Sequence, residues 1–187
     1  MGRAKNYDRD DVLESALAVF WRKGYSATSL SDLTLATGLN KKSIYNEFGS
    51  KEALFDAVLA RYKAAKHRQV QLLLREPAGV GNVVDYVERL AADASRKGCL
   101  FCLSIYEKET LEKAAVAGTR ADYKAVNALI EKNLAEAAGA RAKALSHLVS
   151  AQIFSVAGQG RLGLPKRDID ASMRVLIDAV LAPLLPA

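Results

Sequence analysis

Apolar residues recur along this chain at three- and four-residue spacing almost from end to end, and the strict alternation of a half-buried strand is absent. Val12, Leu13, Ala16, Leu17 and Phe20 predict a helix from about Asp8 to Lys23, stopped by Gly24. Ser29-Leu30-Ser31-Asp32 then reads as a capping box, with Leu30, Leu33 and Ala36 as the buried side of a short helix ended by Gly38. Asn40 is a favoured N-cap and opens a second short helix, Lys41–Phe48, closed by Gly49. Ser50 caps a longer helix in which Leu54, Phe55, Val58, Leu59 and Tyr62 share one face, the pattern persisting to about Leu74. Pro77–Gly81 is the clearest break. Beyond it the periodicity predicts helices near 82–97, 100–115, 119–138, 141–160 and 168–184, separated by Gly98, Gly118, Gly139 and the stretch 163–165. The pattern therefore predicts an all-α chain without internal repeats.

The stretch Ser29–Phe48 has the dimensions of a helix-turn-helix. Gly38 accepts the positive φ that a tight turn demands, and Leu33, Leu39, Ile44 and Phe48 can pack both short helices on the first. The opposite face of the second short helix then exposes Lys41, Lys42, Ser43, Tyr45 and Asn46. Such side chains suit a major groove: lysines reach phosphates or guanine acceptors, Asn46 matches an adenine edge, and Ser43 or Tyr45 can meet phosphate or a thymine methyl. Backbone N–H groups near Ser29 and Lys51 can hold phosphates too. The competing reading is a small three-helix core with a solvated basic face. Charge leans toward the first: the net charge is +6, and residues 1–68 hold 12 Lys/Arg against 8 Asp/Glu, while 69–187 hold 15 against 13.

The residues Gly24-Tyr25-Ser26-Ala27-Thr28-Ser29-Leu30 with Asp32-Leu33, the turn Gly38-Leu39-Asn40-Lys41, and Ile44–Phe48 followed by Gly49-Ser50-Lys51-Glu52-Ala53-Leu54 resemble the DNA-binding domain of the tetracycline-repressor (TetR/AcrR) family. Thr34, Thr37 and Glu47 depart from it, and the charge of Glu47 takes it out of any phosphate contact. The resemblance implies about nine helices: a helix-turn-helix domain over 1–50 and a helical effector-binding and dimerisation domain over 51–187, joined by the helix 51–74. It also implies that Tyr45 and Lys51 contact phosphate, with Lys41, Lys42, Ser43 and Asn46 near base edges, and Ser29 at the entry. The last two helices, including Leu148, would form a four-helix dimer interface.

Other features carry less. Ile169, Met173, Leu176, Ile177, Val180 and Leu181 form an apolar stripe that is either interior or half of a two-fold interface; the resemblance favours the interface. Cys99 and Cys102 form a C-x-x-C beside Lys97, readable as small core residues, as a reactive thiol pair or as part of a metal sensor. No second pair or His cluster completes a zinc site, since His67 and His147 are remote in sequence, so no metal is expected. Tyr62, Tyr86, Phe101, Tyr106, Tyr123 and Phe154 could line a small-molecule pocket or fill plain core. Gly158–Gly163 matches G-x-G-x-x-G by letters, but no strand precedes it, and no cofactor is expected.

Composition excludes wholesale disorder, with half the residues apolar. No run approaches ~20 apolar residues, the N-terminal residues are polar, and the two cysteines fit a reducing compartment, so a cytoplasmic protein is expected. No nucleophile triad, carboxylate pair or phosphate loop stands in a supporting context, so no enzyme is expected. The function expected is a homodimeric, sequence-specific transcriptional repressor, released from a near-palindromic DNA operator by a small molecule or an oxidant. The competing functions are a basic protein-interaction module and a thiol sensor without sequence-specific DNA binding.

Overall fold

The computed structural model describes residues 7–93, 98–105, 107 and 113–186. Among these, helices alone make up the regular structure. Helix α1 (Arg9–Lys23) is capped by the Asp8 carboxylate, which accepts from the Asp10 N–H, and it buries the five periodic residues together with Val19. Helix α2 (Leu30–Thr37) carries the expected capping box, the Ser29 hydroxyl taking the Asp32 N–H and the Asp32 carboxylate taking the Ser29 N–H. Gly38 then turns the chain at φ 70° and ψ 1°, a left-handed conformation that would strain a side chain with a Cβ. Helix α3 (Lys41–Phe48) follows under an Asn40 cap. Helix α4 (Lys51–Val70), capped by Ser50, tightens into a 3₁₀ turn over Gln71–Leu74.

The break after that turn is organised by a buried amide. Asn133 donates to the carbonyls of Leu73 and Leu129, each at 2.8 Å, and its oxygen accepts from the Gly79 N–H at 3.0 Å and the Asn82 amide at 2.9 Å. A residue 51 to 60 positions downstream thus satisfies the end of one helix and the start of the next.

Beyond the break the predicted boundaries need correction. Helix α5 (Val80–Asp93) starts before the expected residue 82; α6 covers Leu100–Ile105 and Glu107 lies in a turn, the expected stretch at 106 and 108–112 lying outside the described residues. Helix α7 (Lys113–Ala138) runs straight through Gly118, which was expected to separate two helices. A glycine inside a helix costs only about 1 kcal/mol, which a long helix packed along α8 absorbs. A 3₁₀ turn (Gly139–Arg141) leads to α8 (Ala142–Arg161), then α9 (Lys166–Val175). The last helix does not continue regularly to 184: Leu176–Leu181 adopt a π-helical turn and Ala182–Leu184 a 3₁₀ turn that contains Pro183.

The apolar residues form two cores. Leu13, Leu17, Phe20, Leu33, Ile44, Phe55 and Val58 from α1 to α4 make the first, and Leu100 of α6 plugs into it from the C-terminal part. The second joins α5, α7, α8 and α9 around Val83, Ile130, Leu134, Val149 and Met173. This second core takes up most members of the last stripe. Ile169, Met173, Leu176, Ile177 and Leu181 are all buried within their own chain, leaving no area for a partner; Val180 is half-buried and Leu148 lies 47% exposed on α8. The residues were periodic for a helix, but α5 covers that face. No helix among the described residues is long and apolar enough to cross a membrane.

Phe20 is fully buried and meets Phe55 edge-on with ring centroids 5.0 Å apart. Truncation to Ala should therefore destabilise the protein by roughly 3–5 kcal/mol, measured by urea unfolding; a loss under 1 kcal/mol would mean the first core is not the joint of α1 and α4 described above.

Candidate nucleic-acid interface and ligand cavity

Helix α3 separates its two faces sharply. Ile44 has no exposed area and sits in the first core, while Lys41, Lys42, Tyr45 and Asn46 are exposed, Tyr45 at 45%. Ser43 is half-buried, its N–H held by the Asn40 side chain at 2.8 Å. Glu47 turns away from this face and takes the Tyr7 hydroxyl at 2.8 Å and the Arg9 guanidinium at 3.4 Å. The candidate phosphate anchors at the helix starts are already engaged internally. Ser29 gives its hydroxyl proton to Asp32 at 2.7 Å. Lys51 spans the α1–α2 connection, donating to the carbonyls of Tyr25 at 3.1 Å and Thr28 at 3.0 Å, with its ammonium over the Tyr25 ring. Asp32 is held well below the usual carboxylate range, first by the Lys23 ammonium at 2.6 Å and then by the Ser29 donors.

A cavity of about 350 Å³ opens between α4, α5, α6, α7 and α8. Six of the seven candidate pocket residues, Tyr62, Tyr86, Cys99, Phe101, Cys102 and Phe154, meet on its wall, with Tyr123 among them; Tyr106 lies outside the described residues. His67, remote in sequence from the cysteines, lines the same cavity. Even so, the described residues contain no group of three or more His, Cys, Asp or Glu able to hold a metal ion.

The two cysteines are unequal. Cys99 accepts from the Tyr62 hydroxyl at 3.5 Å. The Cys102 thiol and then that Tyr62 hydroxyl, both pointing their protons at Cys99, bring its pKa down to about 6 against the opposing pull of burial. Cys102 is pushed well up, because it serves as donor to Cys99 and is itself buried. Burial, ahead of the charge of Cys99, pushes the Tyr62 and Tyr86 hydroxyls up as well, so both stay protonated donors.

Three ties connect the cavity to the α1–α3 unit. The Trp21 indole donates to the Gly98 carbonyl at 2.9 Å, next to Cys99. Arg161 at the end of α8 donates to the Trp21 carbonyl at 2.7 Å. The Glu107 carboxylate accepts the backbone N–H groups of Tyr25 at 2.7 Å and Ser26 at 3.0 Å.

Residues 12–58 match the model of the bacterial regulatory proteins of the tetR family. Over that stretch, the first four helices, the chain is similar to the DNA-binding part of tetR-family regulators. Among its relatives, the HTH-type transcriptional repressor ComR of Escherichia coli K12 is 46% identical over 93 residues, covering 48% of this chain and 44% of ComR. The repressor BdcR of the same organism is 31% identical over 104 residues, covering 54% of this chain and 53% of BdcR. The matched stretch thus spans about half the length of these relatives. Similarity to solved structures extends much further: a cysteine variant of the TetR-family regulator CifR, complexed with 26-bp double-stranded operator DNA, superposes with a TM-score of 0.82 at 26% identity, covering 95% of this chain and 100% of that one.

Sequence reasoning missed Trp21, Gln69 and Glu107. The single tryptophan sits on the α1 periodicity and read as core. Gln69 is polar within a helix yet only 6% exposed, held by Asp93. Glu107 follows no pattern that distinguishes it from a surface carboxylate. If the Cys102 and Tyr62 donors hold a thiolate, alkylation of Cys99 by iodoacetamide should rise with pH through a midpoint near 6 and fall about tenfold from its plateau by pH 5. Intact-mass kinetics on the reduced protein give that profile, and a midpoint near the ordinary thiol value of about 8.5 would rule the arrangement out.

Proposed function

We propose that this chain is a homodimeric, sequence-specific DNA-binding transcriptional regulator of the cytoplasm, a repressor released from a near-palindromic operator by a small-molecule or thiol-reactive effector. The observation that carries the reading is the split of α3, where Ile44 is locked in the core while Lys41, Lys42, Tyr45 and Asn46 stand exposed along one face. Ammonium groups there meet phosphates, and Asn46 offers the donor–acceptor pair that an adenine edge presents in reverse. The same helix in two copies, related by a two-fold axis, would read half-sites about 34 Å apart. Ser29, Ser43 and Lys51 complete the contact set, with Lys51 also bracing the α1–α2 connection. The operator complex of CifR supports this reading by likeness of fold over the whole chain. Among the described residues nothing assembles as a catalytic centre, and the curated relatives are named as regulators rather than enzymes.

The dimer face consistent with the burial pattern lies on the outer sides of α8 and α9, where Leu148 is 47% and Val175 64% exposed beside Ala144, Ala151, Ala171 and Ala179. It replaces the buried stripe of α9, leaving Leu148 from the expected set with the partly covered Val180. Release would work through the ties to Trp21, Tyr25 and Ser26: an effector that binds better to a form with the reading heads displaced shifts the population off DNA.

The Lys41→Ala/Lys42→Ala variant should bind selected operator DNA far more weakly, and its log–log salt dependence should flatten by roughly 2. Selection from a random DNA pool followed by fluorescence polarisation tests this; unchanged affinity and slope would overturn the assignment of α3. Leu148→Glu with Val175→Glu should convert a dimer to a monomer in sedimentation velocity while leaving the helical circular-dichroism signal intact. A persisting dimer would move the interface elsewhere.

A further inference from the structure

Most polar groups on the wall of the cavity are engaged internally. Lys63 pairs with Asp122, Lys66 with Asp93 at 3.7 Å, and Gln69 also with Asp93. His67 is bonded to Gln71, and Ser150 donates to Asn127 at 2.6 Å. The Trp21 indole is spent on Gly98. Tyr123 and Tyr86 are the exceptions, and the more enclosed of the two is Tyr86. Its residue is 5% exposed and lies on the cavity wall, yet its hydroxyl has no hydrogen-bond partner among the described residues. The ring is buried while the hydroxyl opens onto the cavity, where an acceptor atom of a ligand can take its proton. The third group is the Cys99 sulfur, which receives two protons' worth of hydrogen bonding and keeps its nucleophilic lone pairs on the same cavity.

We propose that this cavity takes a small, planar, uncharged α,β-unsaturated carbonyl compound, with Cys99 as the nucleophile that captures it and the Tyr86 hydroxyl as the donor that holds its carbonyl oxygen. The cationic rim is neutralised by its own carboxylates, so no unpaired charge calls for an anionic ligand. The walls are aromatic: Trp21, Phe101, Tyr123 and Phe154, the last two edge-to-face at 5.9 Å, suit a flat conjugated body. In the addition, the Cys99 thiolate attacks the β-carbon and a C–S bond forms. The C=C π pair moves onto the carbonyl oxygen as an enolate, stabilised by the Tyr86 donor. A solvent proton, replacing the one the thiol released, then reaches the α-carbon. The net change is addition of S–H across C=C, and it needs no oxidant. A Cys99–Cys102 disulfide would need an acceptor for two electrons and would give Tyr86 no part.

As an effector site this rests on the regulator reading, and the coupling is short. Cys99 lies between Gly98, which holds Trp21, and Glu107, which holds the α1–α2 connection. An added group on its sulfur must be accommodated against that same segment.

The test uses the full reduced chain and 2-cyclohexen-1-one as probe, followed by intact mass and peptide mapping. One adduct on Cys99 is expected, with a rate that saturates in probe concentration, and none in Cys99→Ala. Tyr86→Phe should slow the addition by about fivefold, the worth of one hydrogen bond, while its iodoacetamide rate stays at the wild-type value, showing that the fold and the thiolate persist. Adduct on Cys102, no adduct at all, or an enone rate unchanged in Tyr86→Phe would overturn the site. The adduct should also weaken operator binding by at least about tenfold; full affinity after stoichiometric addition would overturn its role as effector. Failure of the unmodified protein to select any DNA would instead strike the regulator reading and leave the mass assay to judge the site alone.

Discussion

The carboxylate of Glu107 reaches out of the C-terminal helices to two backbone N–H groups between α1 and α2, at 2.7 and 3.0 Å. A charged acceptor on paired backbone donors is a strong and directional contact, and the local structure is built to permit it. A Cβ on Gly24 would stand 2.8 Å from the Glu107 oxygen and push that carboxylate aside, and the φ of +81° would strain any other residue there. From the other side Lys51 grips the carbonyls of Tyr25 and Thr28 in the same connection. The turn that aims α2 and α3 is therefore held between one carboxylate and one ammonium.

This clamp explains why the molecule has two cores without behaving as two loosely linked units. Leu100 fills the first core from α6, and Trp21 in α1 is bonded at both its indole and its carbonyl by the C-terminal part. A change at Cys99 has only the length of α6 to travel before it meets these bonds. The physical requirement for transmission is a segment tied at both ends to something that moves as a body. Gly98 and Glu107 tie α6 to Trp21 and to the Tyr25–Ser26 backbone, while Leu100 seats it in the first core.

The cavity shows a similar economy of polar groups. Its cations are matched by Asp93 and Asp122, its Gln69 amide and Ser150 hydroxyl are bonded inward, and what remains open are the Tyr86 and Tyr123 hydroxyls and one activated sulfur. Selectivity in such a site follows from which groups have been left unsatisfied rather than from the number lining it.

Much of this was legible in the chain itself, and for a definite reason. The capping box at Ser29 and Asp32, the Asn40 cap, the left-handed Gly38 and the inward set Leu33, Ile44 and Phe48 are local devices, specified by residues three or four apart. The all-helical class and the reading face of α3 followed from them. What the sequence could not show is how faces are partnered. The α9 stripe of Ile169, Met173, Leu176, Ile177 and Leu181 has the periodicity of any buried helix face, and only the position of α5 makes it interior rather than a surface between subunits. Gly118 reads as a stop, yet tertiary packing carries α7 through it. Cys99, Tyr62 and Tyr86 are separated by 13 or more positions in sequence and share a wall only because α4, α5 and α6 converge. Glu107 and the backbone of Tyr25 are 82 residues apart. Short-range chemistry was written in the sequence by itself; the contacts that join the reading helix to the cavity exist only once the chain has closed on itself.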